Sequence, residues 1–352
     1  MIQQESALRP ARLKRFVSTL GAVTLLGITP ARANLNFNLI PDPGTPQYAI
    51  EGFTAAASLW SSVLANDVTI NIQIGFTSLD PGVIGDTAPS FVERTYTETL
   101  QALQTHITSP DDYSAYAALQ SGASYSRLIN HTSDNPNGTN SAIPYVDTMD
   151  RVGFTTANAK VLGLLPNDNS TDATIRFSSD FSYDFDHGTT ITPGEFDFVG
   201  AATHEIGHVL GFISGVDDID TLNGALAGGD FSSNFVDLFR YSLESIAQGP
   251  GFTDYTADTR DKYFSVDGGL TPIASFATGV NFGDGHQASH WKDNLGIGIM
   301  DPTASPGERL DISATDLRLF DVLGYTVVPE PDVCVLLGVS LIVAISAVRR
   351  KV

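Results

Sequence analysis

Apolar residues recur every three or four positions along residues 50–64, at Ile50, Phe53, Ala57, Trp60 and Leu64, which draws one apolar stripe down a helix. The period then changes to two. Over residues 68–74 Val68, Ile70, Ile72 and Ile74 alternate with Thr69, Asn71 and Gln73, the pattern of a half-buried strand. Residues 91–107 and 154–165 read as further helices. Between them Ser109-Pro110-Asp111-Asp112 breaks the chain, and residues 132–140, rich in Asn, Gly and Pro, form a loop. Residues 173–185 alternate as an exposed-edge strand. Helical patterns return at 196–212, at 235–246 and at 313–323, the last with Ser313 as N-cap and Asp316 at the third helical position. Residues 254–285, rich in Gly, Asp and Thr, read as loops around short strands. With no fixed-period repeat and no linker between residues 34 and 328, these elements predict one α+β unit in two lobes.

The two ends fall outside that pattern. Arg9, Arg12, Lys14 and Arg15 precede an apolar run over residues 16–28 and then Ala31-Arg32-Ala33, the layout of a secretory signal covering residues 1–33. At the other end an apolar stretch over residues 333–348 is closed by Arg349, Arg350 and Lys351 and preceded by Pro329-Glu330-Pro331. A short span with a basic stop predicts membrane retention.

Charge sharpens the picture of the part between. The chain of 352 residues carries 19 Lys and Arg against 40 Asp and Glu; residues 34–328 keep 11 of the basic and 37 of the acidic side chains, a net of −26. So acidic a surface repels a phosphate backbone and excludes a nucleic-acid partner. Its carboxylates make calcium a candidate cofactor, although no EF-hand loop is legible. The one cysteine, Cys334, lies in the apolar tail, so no disulfide supports residues 34–328 and no cysteine switch holds them latent.

The chemistry is concentrated in His204-Glu205-Ile206-Gly207-His208, an HExxH pentapeptide inside the helical run 196–212. A spacing of four puts both imidazoles on one helix face, where they can chelate one Zn²⁺, with Glu205 beside them within reach of a water on the metal. Catalytic zinc takes three protein ligands and leaves a fourth position open. No Glu stands about twenty residues on, since residues 225–227 are Ala-Leu-Ala. The pattern continues as HExxHxxG through Gly211, where glycine permits a sharp turn at the helix end, but the position three further on is Ser214, a poor zinc ligand. Asp217 and His290 can each replace it, and His286 is a third choice. His106, His131 and His187 read as surface or loop residues, with His187 placed to line the cleft.

Gly298-Ile299-Met300-Asp301-Pro302 follows His290-Trp291 and looks like a Met-turn, spanning about residues 298–302. HExxHxxG, a long insertion, His-Trp and a Met-turn in that order resemble the metzincin metallopeptidases, the leishmanolysin type above all, over about residues 196–325. The resemblance implies a twisted sheet, an active-site helix, His204, His208 and His290 as zinc ligands, Glu205 as general base and Met300 as the pedestal beneath the metal. It further implies an endopeptidase: zinc makes water acidic enough to ionise near neutral pH, Glu205 takes the proton and passes it to the departing amine. The strand at residues 175–183 would bind an extended protein or peptide substrate by strand addition. The last 24 residues resemble the PEP-CTERM sorting signal of bacterial exported proteins, through Pro-Glu-Pro, the apolar span and the terminal Arg cluster. That resemblance implies export through the Sec machinery, handling by an exosortase and delivery to the cell envelope or extracellular surface. Two other functions fit the same residues: a non-catalytic surface or matrix protein with a structural zinc, and a zinc amide hydrolase acting on cell-wall peptide.

Overall fold

The computed structural model describes residues 34–328; the expected signal sequence and sorting tail lie outside the described residues. In chain order the elements are β1 (Asn36–Pro41), α1 (Gln47–Val63), β2 (Thr69–Thr77), β3 (Gly85–Pro89), β4 (Phe91–Thr95), α2 (Tyr96–Thr105) and α3 (Pro110–Ala118). There follow β5 (Tyr125–Ile129), β6 (Tyr145–Met149), β7 (Arg151–Thr155), α4 (Thr156–Val161), β8 (Ala173–Ser178), β9 (Tyr183–Asp184), β10 (Phe196–Asp197), α5 (Phe198–Val209) and α6 (Val216–Leu222). The chain continues through β11 (Arg240–Tyr241), α7 (Leu243–Ile246), β12 (Thr253–Tyr255), β13 (Lys262–Phe264), β14 (Ala274–Phe276) and α8 (Ala314–Val322). The class is α+β. No helix among the described residues is long and apolar enough to cross a membrane.

The main sheet has the order β1-β2-β8-β3, with β1, β2 and β8 parallel and β3 antiparallel to β8. In β2 the isoleucines at 70, 72 and 74 are fully buried, and Asn71 on the opposite face is buried too, so the strand is covered on both sides. Asn71 is satisfied there: its N–H donates to the Asp172 carboxylate at 2.8 Å and its side chain to the carbonyls of Asp168 and Ser170. Smaller sheets, β4-β7, β12-β5-β6 and β11-β13-β14, occupy the rest of the chain.

Helices α1 and α5 pack closely, and Gly52 is the reason they can: a Cβ there would lie 2.5 Å from the Phe198 ring. Phe53 meets Phe198 edge to face with centroids 5.2 Å apart, and the Trp60 indole N–H donates to the Thr203 carbonyl at 2.9 Å. The stripe expected at residues 50–64 is thus the face on which the motif-bearing helix rests.

Several expectations need correcting. The strand starting at Ala173 is interior, paired to β2 on one side and β3 on the other, and among the described residues the sheet's edges are β1 and β3. Residues 91–107 divide into β4 and α2 at Thr95, whose hydroxyl accepts from the Glu98 N–H in a capping box. Residues 154–165 divide likewise at Thr155, which caps α4. Ser109-Pro110-Asp111-Asp112 starts a helix, α3, with Ser109 as N-cap and Pro110 in the first turn. Residues 235–246 hold a 3₁₀ turn (Phe235–Phe239), β11 and α7 in place of one helix.

Candidate metal centre and cleft

Helix α5 begins at Asp197, whose carboxylate caps the Gly200 N–H at 2.9 Å, and it carries the whole HExxH motif. Two residues past its end at Val209, Gly211 takes φ +116, a conformation that glycine alone adopts without strain. The chain turns there as the HExxHxxG pattern requires.

His204 and His208 project together, and His290 arrives from the far end of the long insertion. The Nε2 atoms of His208 and His290 lie 3.1 and 3.2 Å from that of His204, and ligand atoms of all three lie within 4.8 Å of one another. Each Nδ1 donates to a backbone carbonyl: His204 to Ile299 at 2.7 Å, His208 to Phe212 at 2.8 Å and His290 to Gln287 at 3.2 Å. A carbonyl only accepts, so each Nδ1 holds the proton and each Nε2 presents a lone pair to the shared centre. That is the outer-sphere arrangement of a metal-binding imidazole. Burial, with His204 close by, pushes His208 down to about 3 and keeps His290 well below the usual imidazole range. Both stay neutral, as ligands must. These donors fit a metal ion.

Met300 is fully buried, and a Cβ on Gly207 of the motif would meet its sulfur. Asp217, the other candidate for third ligand, does not join the triad. Its carboxylate accepts from the Ala288 N–H at 2.6 Å, the Ser289 N–H at 3.1 Å and the Ser289 hydroxyl at 2.5 Å, while burial lifts its pKa to about 6. His286 also stays out, 3.6 Å from Asp293. His187 does not line the cleft; it donates to Asp197 at 2.9 Å, which raises its pKa. His131, read as a surface or loop residue, lies in a loop but is buried there and stacks on Phe282. No other group of three His, Cys, Asp or Glu converges among the described residues, so calcium finds no such cluster there.

A cleft of about 960 Å³ opens over the triad, with β3 on one side through Gly85, Asp86 and Thr87, and Leu222, Leu226 and Phe231 of the insertion on the other. Glu205 lies in it. Burial raises its pKa, opposed by the neighbouring His204 and by the Thr87 hydroxyl, which donates to Glu205 Oε2 at 2.5 Å. Thr87 is the residue that reading the sequence missed. It stands 118 residues before Glu205, in a Gly-Asp-Thr-Ala-Pro strand without apolar alternation, so nothing local marks it.

Comparisons with protein-family models, with curated proteins and with solved structures find no match to this chain.

Proposed function

We propose that the chain is a zinc-dependent endopeptidase with a metzincin-like arrangement, exported to the bacterial envelope and carrying a PEP-CTERM signal for an exosortase. One observation carries the enzymatic part: a carboxylate, Glu205, lies beside three converging imidazoles in an open cleft. A structural metal site has no use for a base facing a cleft. His204, His208 and His290 would hold the zinc, which when bound would supply Lewis acidity toward a peptide carbonyl and water.

The remaining work belongs to the chain. Thr87 fixes one carboxylate oxygen of Glu205, and Oε1 has no hydrogen-bond partner among the described residues, so it is free to take a proton from water and return it to the leaving amine. Among the described residues strand β3 pairs with β8 alone, which leaves its other edge for an extended substrate segment to add antiparallel or parallel main-chain hydrogen bonds. This moves the substrate strand from residues 175–183 to β3. Met300 and Gly207 pack together and keep the helix from shifting.

Casein cleavage by the zinc-loaded full chain, beside Glu205→Gln at matched zinc content, tests the proposal. The variant should keep its zinc and lose about 10²- to 10⁴-fold in rate. Equal turnover by both, or zinc-loaded parent protein that cleaves peptidoglycan peptide and no protein, would overturn it.

A further inference from the structure

His204 and His208 are held in register by one helix, but His290 comes from 82 positions beyond His208 and needs its own location fixed. Its Nδ1 bond to Gln287 stays inside its own loop and is the longest of the three, so it orients the ring without anchoring the loop to α5.

The anchor is a polar brace in the wall of the cleft, which Ser214, Asp217 and Ser289 line. Asp217 spends both carboxylate oxygens on Ala288 and Ser289, the two residues before His290. The Ser289 hydroxyl in turn accepts from the Ser214 N–H at 2.9 Å. Ser214 and Gly215 donate to Asp237 at 2.6 and 2.9 Å. On the other flank the buried Arg240 donates to the Ala288 carbonyl at 3.4 Å and to the Ala277 carbonyl at 2.7 Å, and the Ala277 N–H donates to the His290 carbonyl at 3.0 Å. Asp217 on α6 and Ser214 in the turn after α5 bond directly to the loop of the third imidazole, while Asp237 holds that turn and Arg240 holds the loop from its other flank. Ser214, which stands where the short metzincin motif has its third histidine, serves the same end from a distance.

We propose that Asp217 is a positioning residue of the metal centre, which sets metal affinity by tying the Ala288–Ser289 backbone, and so His290, to the start of α6 just beyond the motif helix. The inference rests on the triad holding a metal ion. Partners of this kind behind a metal ligand change affinity by about 10- to 100-fold when removed.

Zinc affinity of the full chain, measured by chelator competition with Co²⁺ absorption as a second readout, tests it. Asp217→Asn should bind zinc about 10- to 100-fold more weakly and alter the Co²⁺ spectrum. Asp172→Asn removes another buried carboxylate, the partner of Lys160 at 2.7 Å outside the cleft, and should leave zinc affinity unchanged even as it lowers stability. In a His290→Ala background Asp217→Asn should cost nothing further, because the two act on one ligand. Should Asp217→Asn fail to fold, Ser289→Ala removes the two hydrogen bonds of the Ser289 hydroxyl, to Asp217 and from Ser214, and should still weaken zinc by about 3- to 10-fold. Folded variants with parental zinc affinity, or an equal loss in the His290→Ala background, would overturn the assignment. A parent chain that binds no zinc would instead overturn the metal reading beneath it.

Discussion

At the residue scale the site turns on where one carboxylate points. Burial works against an ionised Glu205, and two neighbours work for it: His204 and the Thr87 hydroxyl. Only the hydroxyl also fixes orientation, because a hydrogen bond to a charged oxygen is directional. Thr87→Val should therefore lower kcat by about 10- to 100-fold with zinc content and KM little changed, and Thr87→Ser should restore most of it. A Val variant with parental kcat would show that Glu205 needs no such tether. The two partners were unequally legible. Glu205 sits in a pentapeptide whose spacing follows from helix geometry, whereas Thr87 reaches it across the main sheet, through a contact fixed by the β3–β8 pairing.

At the element scale, periodicity exposed the long amphipathic pieces and misplaced the boundaries. Helix α1, strand β2, helix α5 and helix α8 stand within a few residues of their expected positions, because each has an apolar face deep in the core. Strand β4 and the last two residues of β7 read in sequence as part of the neighbouring helices, since Phe91 and Phe154 fit either period and the capping threonines mark the division only once the strand is known. Edge status of β8 depends on its partners and is invisible in its own alternation. Close packing of α5 on Met300 yields a stability prediction. A Cβ at Gly207 would lie 2.4 Å from the Met300 sulfur, with the Trp60 ring 3.5 Å away, so Gly207→Ala should cost about 1–3 kcal/mol by overpacking, read from denaturant midpoints. An unchanged midpoint would mean that Met300 repacks freely. A second prediction concerns α3 and α8. Asp321 on α8 accepts from the Ser109 cap of α3; burial and the nearby Asp112 and Asp111 lift its pKa to about 6, against Ser109 and Arg318. A folded-state pKa above the unfolded 3.8 means stability present below about pH 4 and lost as pH rises through 6. Relative to the parent, Asp321→Asn should thus gain stability between pH 4 and pH 7, and a constant difference across that window would refute the assignment.

At the scale of the whole molecule, charge distribution sets what the cleft can hold. Residues 34–328 carry only 11 Lys and Arg, and these are engaged elsewhere: Arg127 with Asp147, Arg176 with Asp42, Lys262 with Asp258, Lys292 with Asp261. None lines the cleft, where Asp86, Asp218, Asp230 and Asp301 stand around the triad on separate segments. Spread in this way, they do not converge on a second metal ion. They instead present a negative surface to an extended chain, and low-dielectric walls concentrate such a field. Phe91, Leu222 and Leu226 lie exposed in the same walls, suited to the alkyl stems of Lys and Arg. Asp218 and Leu222 are four residues apart on α6 and so share one helix face. Peptides with Lys or Arg beside the susceptible bond should therefore bind about tenfold more tightly than their Glu counterparts, and the gap should narrow as salt is raised from about 0.05 to about 0.5 M. Neutralising Asp218 and Asp230 together should remove most of the preference. Neutralising Glu51 and Asp67, which lie outside the cleft, should leave it in place. Equal losses from both pairs would trace the preference to the net charge of the surface, and the cleft itself would then be indifferent to its substrate's charge.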